Sequence, residues 1–204
     1  MIPEAAMQVA AGSFRICIQS NFADFPGAAL RRRFSLAHEL GHILFYEQQA
    51  GALRPRRDAP RGDGLEAACH QAASMILVPS KTLKVELRRR PPSGSEDVVE
   101  FANRFQVSTE VMLRRLSAFG IFEHGWAAVL TRRSGDTFVI EYAAYPLWLQ
   151  AHLGPPGRGM PFNRWFRGIE QSEGIFVKDT KEGKLKASLK QLSGSSAILE
   201  LRMQ

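Results

Sequence analysis

Hydrophobic positions change their period several times along the chain. Over residues 14–19, Phe14, Ile16 and Ile18 alternate with Arg15, Cys17 and Gln19, the period of a half-buried strand. A turn through Asp24-Phe25-Pro26-Gly27 follows. Leu36, Leu40, Ile43 and Leu44 then recur at helical spacing without a proline between them, which predicts a helix over 34–47. Residues 51–64 read as a loop in which Gly51, Pro55, Pro60, Gly62 and Gly64 interleave with Arg54, Arg56, Arg57 and Arg61. Loops of that length are commonly functional. A second helix is expected over 64–78, with Asp63 as its N-cap and Pro79 as its stop. A third begins at Ser80 and closes on Arg88-Arg89-Arg90, where basic residues suit the C-terminal end of the helix dipole.

Pro91-Pro92-Ser93-Gly94 reads as a linker. Beyond it the pattern predicts helices at about 96–104 and 109–118, capped between by Ser108 and ended by Gly120. The last third changes to strand periodicity. Trp126–Thr131 and Phe138–Tyr142 form a hairpin around Ser134-Gly135-Asp136, Gly154–Pro161 is a loop, and Gly174–Lys178 and Ala197–Arg202 are further strands. The expectation is an α+β chain in three segments. Residues 1–92 form a mainly helical domain behind a short strand, 93–122 a helix-turn-helix-like segment, and 123–204 a small β-rich domain with a sensory or docking role.

Composition narrows the classes. The chain has 204 residues, 45% hydrophobic and 23% charged, which is globular rather than disordered. No stretch approaches the roughly 18 apolar residues of a membrane span, and the start of the chain, with Glu4 and no basic region, does not read as a secretory signal. Cys17 and Cys69 lie 52 positions apart, so neither a disulfide scaffold nor a four-cysteine zinc site is expected, and the default compartment is the cytoplasm. Twenty arginines and seven lysines against 20 acidic residues leave a net charge of +7, which permits acidic partners without identifying one.

The sharpest chemistry is His38-Glu39-Leu40-Gly41-His42, an H-E-x-x-H on a predicted helix. Positions 38 and 42 differ by about 40° around a helix axis and about 6 Å along it, so both imidazoles can reach one metal ion. Zinc accepts two imidazoles and a third protein ligand and keeps one position for water, whose pKa it lowers to about 7. Glu39, beside the pair, is then the candidate general base. One Zn2+ per chain is expected, with other divalent metals open. The longer pattern with a third histidine fails, because Phe45 and Gln48 occupy the required positions. A carboxylate is therefore expected as third ligand. Glu66, 24 residues after His42 on the next helix, leads; Glu47 lies too close along the same helix to close a tetrahedron easily, and Glu86 is the reserve.

Two ordered motifs resemble a known family. Arg33-Phe34-Ser35-Leu36-Ala37-His38-Glu39-Leu40-Gly41-His42 is similar to the core signature of the ImmA/IrrE-type zinc metallo-endopeptidases. Glu66-x-x-Cys69-His70-x-Ala72-Ala73-Ser74-x-Ile76-Leu77-Val78-Pro79 resembles that family's Glu-x-x-Ala-Asn-x-Phe-Ala-Ala-x-Leu-Leu-Met-Pro. The resemblance covers about 30–80. It implies a zincin-like peptidase domain, Glu66 as third metal ligand beside His38 and His42, and a regulatory substrate such as a helix-turn-helix repressor. Cys69-His70 and Ala72 depart from the family's Ala-Asn and Phe. His70, one turn after Glu66, can act beside the metal or stand as an ordinary helix residue. His70, His124, His152 and Tyr46 are candidates by residue type for stabilising an oxyanion. The strand at 14–19 could receive an extended peptide by strand addition.

Ala102, Phe105, Val107, Ser108, Met112 and Leu116 resemble a helix-turn-helix core, with Arg114 and Arg115 available for DNA. Two readings compete with the peptidase. One is a non-catalytic DNA- or repressor-binding protein with a structural metal site, and the other a toxin or antitoxin partner. Glu39 argues against the first, since a structural site needs no base.

Overall fold

The computed structural model describes residues 5–10, 12–18, 27–123, 126–135, 137–144, 149–150, 157–161, 174–180, 183–192 and 195–203. The chain divides into two compact units, Met1–Arg89 with Phe105–Ser108, and Arg90–Arg104 with Thr109–Gln204. The architecture is α+β, as expected, with the long helices early and the large sheet late. Residues 24–26, Asp136 and 154–156, where parts of the expected turns and loop fall, lie outside the described residues.

In the first unit, β1 (Ala5–Ala10) pairs antiparallel with β2 (Ser13–Ile18). Helix α1 spans Ala28–Ile43, not 34–47. It starts earlier because Ala28, Ala29, Leu30 and Arg31–Arg33 are all strong helix formers, although they carry little apolar periodicity. Arg33 reaches from it to the carbonyl oxygens of Phe105 (3.3 Å) and Gln106 (2.5 Å). The helix stops at Ile43 as Leu44 and Phe45 donate to Gly41 and His42, three residues back, tightening the last turn.

The expected loop at 51–64 is shorter than that. β3 (Tyr46–Gln49) and β4 (Ala52–Pro55) form a hairpin, and the irregular segment runs from Arg56 to Gly62. Ala50 (φ 49°) and Gly51 (φ 79°) both sit in the left-handed region, the requirement of a two-residue type I′ turn. Helix α2 covers Asp63–Leu77. Gly62, not Asp63, stands at its N-cap, and Gly62 carbonyl oxygen accepts from the Leu65 and Glu66 N–H groups. Helix α3 covers Ser80–Arg89.

The apolar stripe read on α1 does not face its packing partner. Leu36, Leu40 and Leu44 are exposed, whereas Ala37, Glu39 and Gly41 are buried. Helix α2 meets α1 through small residues as well: Cys69 and Ala73 are fully buried. Small side chains let two helix backbones approach closely. Leucines on that face would have held them near the usual 8–10 Å.

The second unit is built on an antiparallel sheet in the order β6-β5-β9-β8-β7. Its strands are β5 (Trp126–Ser134), β6 (Thr137–Ala144), β7 (Gly174–Thr180), β8 (Gly183–Gln191) and β9 (Ser196–Met203). Ala127, Val129, Phe138, Ile140, Leu185, Ala187, Leu189, Leu199 and Leu201 cluster in its core. Helices α4 (Ser95–Phe105) and α5 (Thr109–Ser117) carry the expected apolar residues inward, with Ala102, Met112 and Leu116 buried. The arginines offered for DNA are otherwise engaged. Arg114 pairs with Glu110 at 2.7 Å and lies 4.3 Å over the Tyr142 ring, while Arg115 is buried, which lowers its pKa from the usual arginine range.

The N-terminus of α4 is tied down twice. Glu200 accepts from the Ser95 N–H at 2.7 Å, and Asp97 accepts from the Ser93 N–H (2.7 Å) and hydroxyl (2.8 Å) while pairing with Arg90 at 2.7 Å. Burial pushes the Asp97 carboxyl upward, but the two Ser93 donors and Arg90 outweigh it and hold the pKa below the ordinary carboxylate value. A depressed native pKa adds stability above the unfolded value, roughly 4, and loses it as pH falls through the native value. Asp97→Ala is expected to cost about 1–3 kcal/mol at pH 7, with the gap to wild type closing in acid below pH of about 4. Urea titration followed by tryptophan fluorescence checks this, because Trp126 is buried on β5 of this unit.

Candidate metal centre

Two residues of α1 and one of α2 meet in the first unit. His38 and His42, one turn apart, stand with ring centroids 4.9 Å apart at 81°. Their Nε2 atoms are 3.2 Å from each other. Glu66 closes the triangle: Oε2 is 3.2 Å from His38 Nε2, and Oε1 is 3.7 Å from His42 Nε2. Among the described residues this is the group of three His, Cys, Asp or Glu side chains whose donor atoms all lie within 4.8 Å of one another.

These spacings can be tested against an ion. A tetrahedral zinc with bonds of about 2.0–2.1 Å holds its donors about 3.4 Å apart. The observed 3.2, 3.2 and 3.7 Å bracket that value, so the donor set fits without rearrangement. The protonation state suits it too. Burial lowers the His38 pKa from the ordinary histidine value, the neighbouring His70 and His42 add to this, and Glu66 and Glu39 oppose it. A neutral imidazole is the form that ligates. His38 Nδ1 is buried without a hydrogen-bond partner among the described residues, so the polarity of that ring is spent on the Nε2 side.

Gly41 sets the distance between the two helices. A Cβ there would stand 3.1 Å from the Cys69 carbonyl oxygen, 3.2 Å from Cys69 Cα and 3.3 Å from Ala72 Cβ. Two of these three neighbours are backbone and cannot swing aside. Sequence reasoning passed over this glycine as an unspecified position inside the motif, although the small residues Cys69, Ala72 and Ala73 on the facing helix were its signal.

Glu39 is buried, at 9% exposure, beside His38. The other named residues fall as follows. The Glu66 side chain stands among the histidines, while its backbone N–H bonds the Gly62 carbonyl at the helix start. Glu47 lies on β3, accepting from Gln49, and Glu86 lies on α3 near Arg89, so neither joins the group. His70 is exposed, its ring centroid 4.7 Å from that of His38 and 5.5 Å from that of Phe34. It lies beside the donors without joining them. Cys69 is fully buried, and burial, then Glu66 and Glu39, raise its thiol to about 11, so it stays protonated at neutral pH. Tyr46 packs edge-on against Phe14 at 5.5 Å. His124 and His152 lie outside the described residues.

Residues 27–117 match the Peptidase_M78 family in its IrrE N-terminal-like domain. The radiation response metalloprotease IrrE of Deinococcus radiodurans is 35% identical over 91 residues, 43% of this chain and 27% of that protein. The match therefore spans about a quarter of that relative's length.

Replacing Gly41 by valine is expected to force α2 away and draw Glu66 off the histidines. Zinc affinity, measured by competition with a chromophoric chelator, should fall at least about tenfold while far-UV circular dichroism keeps its helical signal.

Proposed function

We propose that the chain, whose residues 27–117 match the IrrE N-terminal-like domain of the Peptidase_M78 family, is a metal-dependent endopeptidase cleaving a regulatory protein. One observation carries the reading. Two histidine nitrogens and a glutamate oxygen stand 3.2–3.7 Å apart, with a second, buried glutamate next to the first histidine.

His38, His42 and Glu66 would hold one divalent ion, zinc by the chemistry of the donor set. Once bound, the ion supplies a Lewis acid and a water made acidic enough to lose its proton near neutral pH. Glu39 would serve as general base, its carboxylate accepting a proton from the water that attacks the scissile carbonyl carbon. It then returns the proton to the leaving amine as the C–N bond breaks. Desolvation around Glu39 keeps the proton from exchanging with bulk water during the transfer. The β1–β2 hairpin has no third strand among the described residues, so its edge can take the substrate as an extended strand.

The family resemblance points to a helix-turn-helix repressor as substrate, and the name of the Deinococcus relative to a radiation response. No helix among the described residues is long and apolar enough to cross a membrane. Cys17 and Cys69 are both free thiols, which suits the reducing cytoplasm.

The test pairs two substitutions. With zinc and a purified repressor encoded beside this chain, Glu39→Gln should lower cleavage by about 10²- to 10⁴-fold while keeping a full equivalent of metal. Glu66→Ala should instead lower the metal content itself, read by atomic absorption after dialysis. Metal binding with no cleavage by the unaltered chain, joined to tight repressor or DNA binding, would replace the enzyme by a binding protein with a structural ion.

A further inference from the structure

A cavity of about 600 Å³ opens beside His42, walled by the β3–β4 hairpin, the segment from Arg56 to Gly62 and the start of α2. Its charge is one-sided. Arg54, Arg56, Arg57 and Arg61 all line it, and among the described residues no aspartate or glutamate does. Arg56 is already committed: its Nε and Nη2 hold the two oxygens of Asp58 at 3.0 and 2.8 Å. Arg54, Arg57 and Arg61 have no carboxylate partner among the described residues, and all three are exposed. Phe45 and Tyr46 add apolar wall between them.

We propose that this arginine-lined cavity is a specificity subsite that takes an acidic side chain of the peptide substrate, close to the bond that is cut. The inference rests on the peptidase reading above and adds a substrate class to it. His42 belongs both to the cavity wall and to the donor group, so an occupant of the cavity lies next to the reacting carbonyl. An extended peptide advances about 3.3 Å per residue, which puts the acidic residue within about three positions of the scissile bond. Guanidinium groups suit a carboxylate because they bind it with two parallel N–H···O bonds, and the Arg56–Asp58 pair already displays that geometry in the same wall. The wall is also well placed to keep its shape. The Arg56 N–H donates to the Phe45 carbonyl at 2.8 Å, and the Ala59 N–H to that of Arg56 at 3.2 Å. The shared His42 favours a side chain of the peptide being cut over a nucleic-acid phosphate, because an occupant of the cavity lies against the donor group.

A peptide library made from digested proteome tests this. The zinc-loaded chain cuts it, the new termini are sequenced by mass spectrometry, and the Glu39→Gln background is subtracted. Aspartate or glutamate should be enriched at one position within three residues of the cut. A matched peptide pair carrying Glu or Gln there should differ about ten- to hundredfold in kcat/KM, chiefly through KM. The triple Arg54→Gln, Arg57→Gln, Arg61→Gln variant should bring that ratio close to one, and the corresponding lysine variant should restore part of it. Metal content and circular dichroism serve as folding controls, with single Arg57→Gln and Arg61→Gln variants in reserve if the triple does not fold. Cleavage with no acidic preference, or a preference that survives in the folded triple variant, overturns the subsite alone. So does a single-stranded oligonucleotide that binds through the same arginines while the Glu and Gln peptides are cut equally. Absence of any cleavage above the Glu39→Gln background overturns the peptidase reading, and the subsite falls with it.

Discussion

The contact between Gly41 and the backbone of Cys69 sets the distance on which the candidate centre depends. The Cβ that glycine lacks would sit 3.1 Å from a carbonyl oxygen, so α1 and α2 approach as closely as helix backbones allow. Ala72 Cβ, 3.3 Å from where that Cβ would stand, shares the contact, and Ala37 and Ala73 are buried as well. Only at that separation does a glutamate on α2 reach two histidines on α1 with its carboxylate in ligand range. A site built across two helices held this way is stiffer than one hung on loops, which keeps the donor spacing near that of a tetrahedral ion.

What could be read before the fold was known follows from the range of each signal. His38 and His42 were legible because i, i+4 spacing is a local property of one helix. Glu66 was reachable because the next helix had to return. The packing face of α1 could not be read from periodicity: Leu36, Leu40 and Leu44 carry the stronger hydrophobic signal yet are exposed, and the close fit at Gly41 decides which side packs against α2. The β3–β4 hairpin escaped because Tyr46-Glu47-Gln48-Gln49 is polar and its turn uses Ala50 where asparagine would be expected. The omission of β8 was avoidable. Leu185, Ala187 and Leu189 alternate with Lys184, Lys186 and Ser188, but the lysines made the segment look like a solvated loop.

The basic surplus also divides into unlike parts once the chain is folded. Arg114 and Arg115 belong to the packing of α5, and Arg90 to the N-terminus of α4, so their charge is consumed inside the second unit. Arg33 holds the backbone at residues 105–106. The arginines of the irregular segment after β4 are different in kind, since they gather around one cavity. Net charge alone permitted an acidic partner without identifying one. Its distribution puts an unneutralised share of it at the edge of the histidine pair.

Cys69 gives the centre a chemical property of its own. The thiol is sealed from solvent and stays protonated far above neutral pH, and oxidants attack the thiolate form of cysteine. The residue on which the two helices close is thus one that peroxide reaches slowly, while Cys17 on β2 is exposed. Under oxidative conditions the spacing of the centre would therefore outlast the surface thiol.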